Sequence, residues 1–354
     1  MVKVGIFLPN GSNGYIMSAG SPQYLPTFEH NKQIAVEAER SGFDMILSMM
    51  KYRGFGGSTG YWDHCLESFT LMAGLASVTT TLELFPTVTI PALHPAVVAR
   101  YVSTIDDISD GRCGLNIVTG WNRDEYDQMG LWPGDDYYTE RYEFAGEYVG
   151  LLRSLWEHGR VTANTEHFTL DDCTVYPQPK HRVTIVSAGQ SPAAARFVSE
   201  FADRNFVQAG PDKLAEIVGK VKAAGSEKGR DVGTYAVFHL IADADSAKAY
   251  AMQDEIVRRA DSEAIGNMIA SAMLDANPDG ISRHQATGMS RPPEDGNSAF
   301  MTIPTVTGSY TEVAERLDRI IEDTGIDGVL FSFPDFVAGV RDFGDRIRPL
   351  MKNL

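Results

Sequence analysis

Short apolar runs alternate along this chain with longer segments whose apolar residues recur at helical spacing. VKVGIFLP (2–9) opens the series, followed by FDMILSMM (43–50), TLELFPTVT (81–89), CGLNIV (113–118) and VTIVSAG (183–189). RNFVQAG (204–210), TYAVFHLIA (234–242) and DGVLFSFPDF (327–336) complete it. Runs this short and continuous read as strands covered on both faces. Between them lie amphipathic stretches: PTFEHNKQIAVEAERSG sets Phe28, Ile34, Ala35 and Ala38 on one face and closes at Gly42. Further helices are expected over 66–79, 94–111, 139–158, 191–202, 211–229, 245–274 and 307–325, the last capped by Ser309 or Thr311. Strands that each precede a helix predict a (β/α)8 barrel with insertions, one domain spanning 1–354. The insertions are a short hairpin at 166–180 and a polar loop at 275–300. Pro86 predicts a bulge or a strand end.

A barrel of this kind carries its site at the C-terminal ends of its strands. The loop after the fourth strand, from Thr119 to Tyr138, is long and holds Trp121, Tyr126, Trp132, Tyr137 and Tyr138. Loops of that length and composition are seldom mere connectors. The other strand ends bring Asn10 to Gln23, Met49 to Arg53, Thr87, Ser187 to Ser191, Gln208 to Gly210 and Phe333 to the same mouth.

A net charge of -16 disfavours nucleic acid and anionic membrane surfaces, which leaves small molecules and proteins as partners. The three cysteines, Cys65, Cys113 and Cys173, form neither a disulfide framework nor a CxxC site, and point to a reducing cytoplasm. No run of about 18 apolar residues predicts a membrane span, and MVKVGIFLP is too short for a signal peptide. No metal is expected, since neither HExxH nor paired-histidine spacing occurs.

Individual residues refine this. SAGQSPAA (187–194) puts Gly189 at a tight turn and Ser191 before a helix, which reads equally as a phosphate cradle or an ordinary helix cap. Asn116 is a polar residue in an apolar strand. Arg141 suits either an anion or a surface ion pair. Asp63 and His64 read as helix capping, and His239 as a core histidine. With neither GxGxxG after strand one nor GxxxxGK[ST], no nicotinamide or nucleotide-triphosphate site is indicated.

GRCGLNIVTGWNRDEYDQMGLWPGDDYYTERY, SPQYLPTFEHNK, SMMKYRGFGG, WDHCLESFTLMAGLASVT, VSAGQS and RDFGDRIRPLM together resemble the bacterial luciferase-like two-component flavin monooxygenases. Within that family the likeness is greatest to the pyrimidine monooxygenases of uracil degradation, with the riboflavin lyases near relatives. The resemblance implies an FMN site at Met50, Lys51, Asn116, Glu125, Arg141, Tyr142, Gly189, Gln190 and Ser191. It places Leu47, Thr87, Asn116, Trp121 and Phe206 beside the flavin, where O2 reacts. It implies reduced FMN delivered by a separate NAD(P)H-dependent reductase, and a homo-oligomer. The expected activity is O2-dependent cleavage of a ring or C–N bond in a uracil-edged N-heterocycle. Riboflavin cleavage to lumichrome is the alternative; a non-catalytic flavin binder and a deazaflavin oxidoreductase are further ones. Tyr15 and the small pair Gly20-Ser21 depart from the uracil pattern, and are expected to widen the mouth.

Overall fold

A computed structural model of the chain describes residues 2–189, 191–275, 286–290 and 298–354. The apolar runs form β1 (Lys3–Leu8), β2 (Met45–Ser48), β3 (Glu83–Phe85), β4 (Thr87–Thr89) and β5 (Leu115–Val118). After a hairpin of β6 (Arg160–Asn164) and β7 (Thr169–Thr174) come β8 (Ile185–Ala188), β9 (Arg204–Val207), β10 (Gly233–Asp243), β11 (Thr305–Ser309) and β12 (Gly328–Ser332). The parallel sheet runs in the order β3-β2-β1-β12-β10-β9-β8-β5-β4.

That path closes on itself because β3 and β4 are one run split at Pro86. Proline has no N–H to donate to a ladder, so the pairing changes partner there. β3 pairs with β2, and β4 with β5 through Thr87 opposite Asn116. The Pro86 carbonyl still accepts from Asn116 N at 2.8 Å. The result is the expected parallel barrel, and the 166–180 insertion is the expected hairpin in substance, starting six residues earlier at Arg160.

The helices are α1 (Phe28–Arg40), α2 (Ser68–Ala76), α3 (Pro95–Ser109), α4 (Arg123–Asp127), α5 (Tyr137–His158), α6 (Pro192–Phe201), α7 (Pro211–Glu227), α8 (Ser246–Arg258), α9 (Ser262–Ala272), α10 (Tyr310–Thr324) and α11 (Phe336–Asp342). Proline opens α3, α6 and α7, where its missing N–H costs nothing. Ser309 caps α10 in a reciprocal box with Glu312.

Two departures shape the mouth. The helix expected over 245–274 breaks into α8 and α9 at Asp261, whose carboxylate caps Ala264 N at 3.1 Å and accepts from Thr59 N and Oγ1 at 2.8 and 2.7 Å. This ties the loop after β2 to α9. Residues 305–309, read as loop and helix start, instead form β11, paired with the last part of β10 from His239 to Asp243. The extra strand stands at the barrel's C-terminal end and brings the residues before it, Met301 and Ile303, to the mouth.

The early loop does not open the mouth. A Cβ on Gly20 would lie 2.4 Å from the Glu255 carbonyl oxygen, and Ser21 is buried. These small residues let the loop press against α8; only Tyr15 of the three substituted positions reaches the cavity.

Candidate active site

A cavity of about 220 Å³, open to solvent, lies at the C-terminal ends of the strands. Met50, Lys51, Thr87, Asn116, Trp121, Glu125, Arg141, Tyr142, Gly189 and Phe206 line it. Ser191 stands just behind: its hydroxyl caps Ala194 N at 3.1 Å and hydrogen-bonds the Tyr142 hydroxyl. Leu47 is not part of the lining; it is buried in β2 in register with Phe7 and Phe85. Gln190 lies outside the described residues.

At the barrel end of the cavity, Asn116 Nδ2 donates to Thr87 Oγ1 at 2.9 Å, and the Thr87 hydroxyl donates to the Ser48 carbonyl. Thr87 N is bound by Ser68 Oγ at 2.7 Å, which itself lies 2.5 Å from Ser48 Oγ. The chain of bonds fixes the amide's orientation. It leaves Asn116 Oδ1 buried with no partner among the described residues, a cost of about 1–3 kcal/mol unless a ligand or water satisfies it.

The loops after β2 and β5 are joined by a buried ion pair between Lys51 and Glu125, each side chain 4% exposed. Glu125 Oε2 also accepts from Tyr52 N at 3.3 Å. The Lys51 ammonium lies 4.4 Å from the Phe55 ring and 4.7 Å from the Trp121 ring, a cation–π box. Burial draws the ammonium down to about 7, and the neighbouring Cys65 opposes that fall.

Arg141 reaches the cavity from the second turn of α5. Its Nη1 donates to Asp275 Oδ2 at 3.1 Å, with the two side chains 2% and 0% exposed, so the pair is buried and not at the surface. Arg141 Nε has no partner among the described residues. Gly189 faces it across Tyr142: a Cβ there would sit 2.5 Å from Ala194 Cβ and 3.1 Å from the Tyr142 hydroxyl. Glycine is required because the turn into α6 approaches so closely.

Comparison with known proteins fits this geometry. The family model for luciferase-like monooxygenases matches residues 2–328. The chain belongs to the luciferase-like monooxygenase family. It is 45% identical to pyrimidine monooxygenase RutA of Enterobacter cloacae subsp. cloacae over 99% of this chain and 96% of that protein. It is 46% identical to pyrimidine monooxygenase RutA of Acinetobacter baylyi, over 99% and 95%. Among solved structures, riboflavin lyase RcaE with modified FMN and riboflavin superposes with a TM-score of 0.84 at 20% identity, over 99% of this chain and 91% of that one. At that identity the likeness is one of fold.

This luciferase-like monooxygenase, a flavin-dependent enzyme, also lines its cavity with Tyr15 from the early loop expected at the mouth, and with Phe7, Trp62 and three methionines that strand ends did not single out. Phe7 and Tyr15 stack with centroids 3.9 Å apart, the Tyr15 hydroxyl donating to the Leu8 carbonyl at 2.8 Å. Trp62 donates through Nε1 to the Gly14 carbonyl at 2.6 Å. Met268, Met289 and Met301 form an apolar wall from distant parts of the chain. Sequence spacing gives no signal for such a wall, since isolated methionines read as core.

Other residues resolve as structure. Asp63 accepts from Gly56 N at 3.1 Å and closes a turn, while Glu67 provides the α2 cap that Asp63 and His64 were expected to serve. His239 is fully buried, its imidazole lowered to about 3 by burial. Glu147, Glu166 and His167 approach within 4.8 Å, and Glu147 Oε2 accepts from His167 N at 3.1 Å, which anchors the hairpin turn. No helix among the described residues is long and apolar enough to cross a membrane.

Proposed function

We propose that the cavity binds FMN, received in reduced form from a separate NAD(P)H-dependent reductase, and that the enzyme uses it with O2 to open the ring of a uracil-type pyrimidine. The observation that carries this is the pair of buried, unpartnered polar atoms inside one cavity, Asn116 Oδ1 and Arg141 Nε. An apolar, aromatic chamber with orphaned hydrogen-bonding atoms suits a planar ring carrying a phosphate tail.

The residues divide the work. Arg141, Tyr142, Gly189 and Ser191 would hold the phosphate, aided by the N-terminal end of α6. Met50, Lys51, Asn116 and Glu125 would hold the ring and its chain. Reduced FMN, when bound, supplies the electrons with which O2 is activated. Thr87, Asn116, Trp121 and Phe206 wall the space beside it, with Leu47 buttressing that wall from within β2. Trp121, with Phe55 stacked on it at 6.0 Å, keeps bulk water out. The fixed Asn116 amide presents its oxygen to a donor on the ligand, and a pyrimidine's C=O, N–H, C=O edge offers one.

Riboflavin presents the same edge, and cleavage to lumichrome is the second reading. The tight seating of Gly20 on α8 removes the widened mouth that favoured it. Relatives at 44–46% identity named pyrimidine monooxygenase point the same way. Incubation with reduced FMN, O2 and each of uracil, thymine and riboflavin, followed by mass spectrometry, tests the choice. The expected result is a ring-opened ureidoacrylate-type acid from uracil and no lumichrome. Lumichrome from riboflavin with uracil untouched would reverse it, and no product from any of the three would favour a non-catalytic flavin binder.

A further inference from the structure

Charge at the cavity is balanced in pairs. Among the described lining residues, the cationic side chains are Lys51 and Arg141, and each already faces a buried carboxylate, Glu125 and Asp275 respectively. Asp275 is not itself in the lining; it backs the guanidinium from just beyond α9, while Arg141 Nε is left without a described partner. A phosphate arriving at Arg141 therefore meets a cation whose charge is already matched. In a buried setting the second carboxylate opposes the incoming anion strongly, because little water screens it.

We propose that Asp275 is a specificity-determining residue that weakens the hold of Arg141 on a phosphate-ended ligand. This rests on the reading above that the flavin phosphate lies at Arg141. Asparagine at 275 keeps an oxygen that accepts from Arg141 Nη1 but removes the opposing charge. The site then takes phosphate more tightly, while a ligand lacking phosphate is unaffected.

The test measures binding of oxidised FMN and riboflavin by flavin fluorescence, and of inorganic phosphate by thermal shift, on the full chain. Wild type is compared with Asp275→Asn, Asp275→Glu and Arg141→Gln. Asp275→Asn is expected to bind FMN about tenfold or more tighter, a change of one charge interaction in a partly screened site. Riboflavin affinity stays as in wild type, inorganic phosphate raises the melting temperature more than in wild type, and Asp275→Glu behaves as wild type. Should Asp275→Asn not fold alone, recovery in phosphate but not in chloride supports the proposal, and no recovery overturns it. Unchanged or weaker FMN binding by folded Asp275→Asn, with Arg141→Gln losing the preference for FMN over riboflavin, overturns the role of Asp275 alone. An Arg141→Gln that keeps that preference removes the phosphate from Arg141 and takes the proposal with it.

Discussion

Asn116 enters the cavity with its amide nitrogen committed to Thr87 and its oxygen unpartnered. Removing it takes away a pre-oriented polar contact without unpacking the barrel wall. Asn116→Ala is expected to lower kcat for uracil by about a hundredfold to a thousandfold, the scale of losing one site-directed hydrogen-bonding group. A kcat within threefold of wild type would deny Asn116 its role, as steady-state kinetics with reduced FMN will show. Lys51 has a different kind of effect. Lys51→Ala leaves Glu125 buried without its cation, which costs about 3–5 kcal/mol, whereas replacing both by methionine recovers most of it. Denaturant titration of the two variants is the check, and equal losses in both would refute the pair's importance. Asn116 stood out in the sequence as a polar residue in an apolar strand, whereas Gly189 read equally as a cradle or a helix cap and Arg141 as an anion site or a surface ion pair, so that only the family resemblance set them together. Leu47 was not: an apolar residue in a strand looks alike whether it faces a cavity or the packed wall. Asp275 was invisible, since its partner lies 134 positions away.

At the scale of elements, the alternation of apolar runs and amphipathic helices carried nearly all of the barrel. What it missed follows from pairing partners, which periodicity does not encode. Pro86 marks a change of partner between β2 and β5. Strand β11 is five residues of TVTGS that end in a helix cap, and only the overhang of β10 gives it a neighbour. The early loop was misread because small residues serve close approach as readily as open space. Gly20→Leu is therefore expected to destabilise the fold by about 1–3 kcal/mol through overpacking, leaving the ratio of kcat/KM for uracil over thymine unchanged. A shifted ratio at unchanged melting temperature would return that loop to the substrate site.

For the whole molecule, acid sensitivity follows from His239. In the unfolded chain its imidazole has the ordinary value of 6.5, and in the fold it is lowered to about 3. Below the ordinary value the unfolded state binds a proton that the folded state refuses. Stability is thus fully present above about 6.5 and falls as pH drops toward 3, by about 1.4 kcal/mol per pH unit over that window. His239→Gln should flatten the decline between pH 6 and 4 in thermal unfolding, and an unaltered slope would assign the acid sensitivity elsewhere. The chain's charge of -16 and the paired charges inside its cavity suit a protein that meets small ligands.

The proposed function turns on oxygen from O2 entering a uracil-type pyrimidine bound beside the flavin. Its most direct test is mass spectrometry of the uracil product formed with reduced FMN under heavy-isotope O2 in ordinary water. The expected product is a ring-opened acid carrying one heavy oxygen atom. A ring-opened product without the label would mean that water, and not O2, cleaves the ring, and would contradict the proposed function.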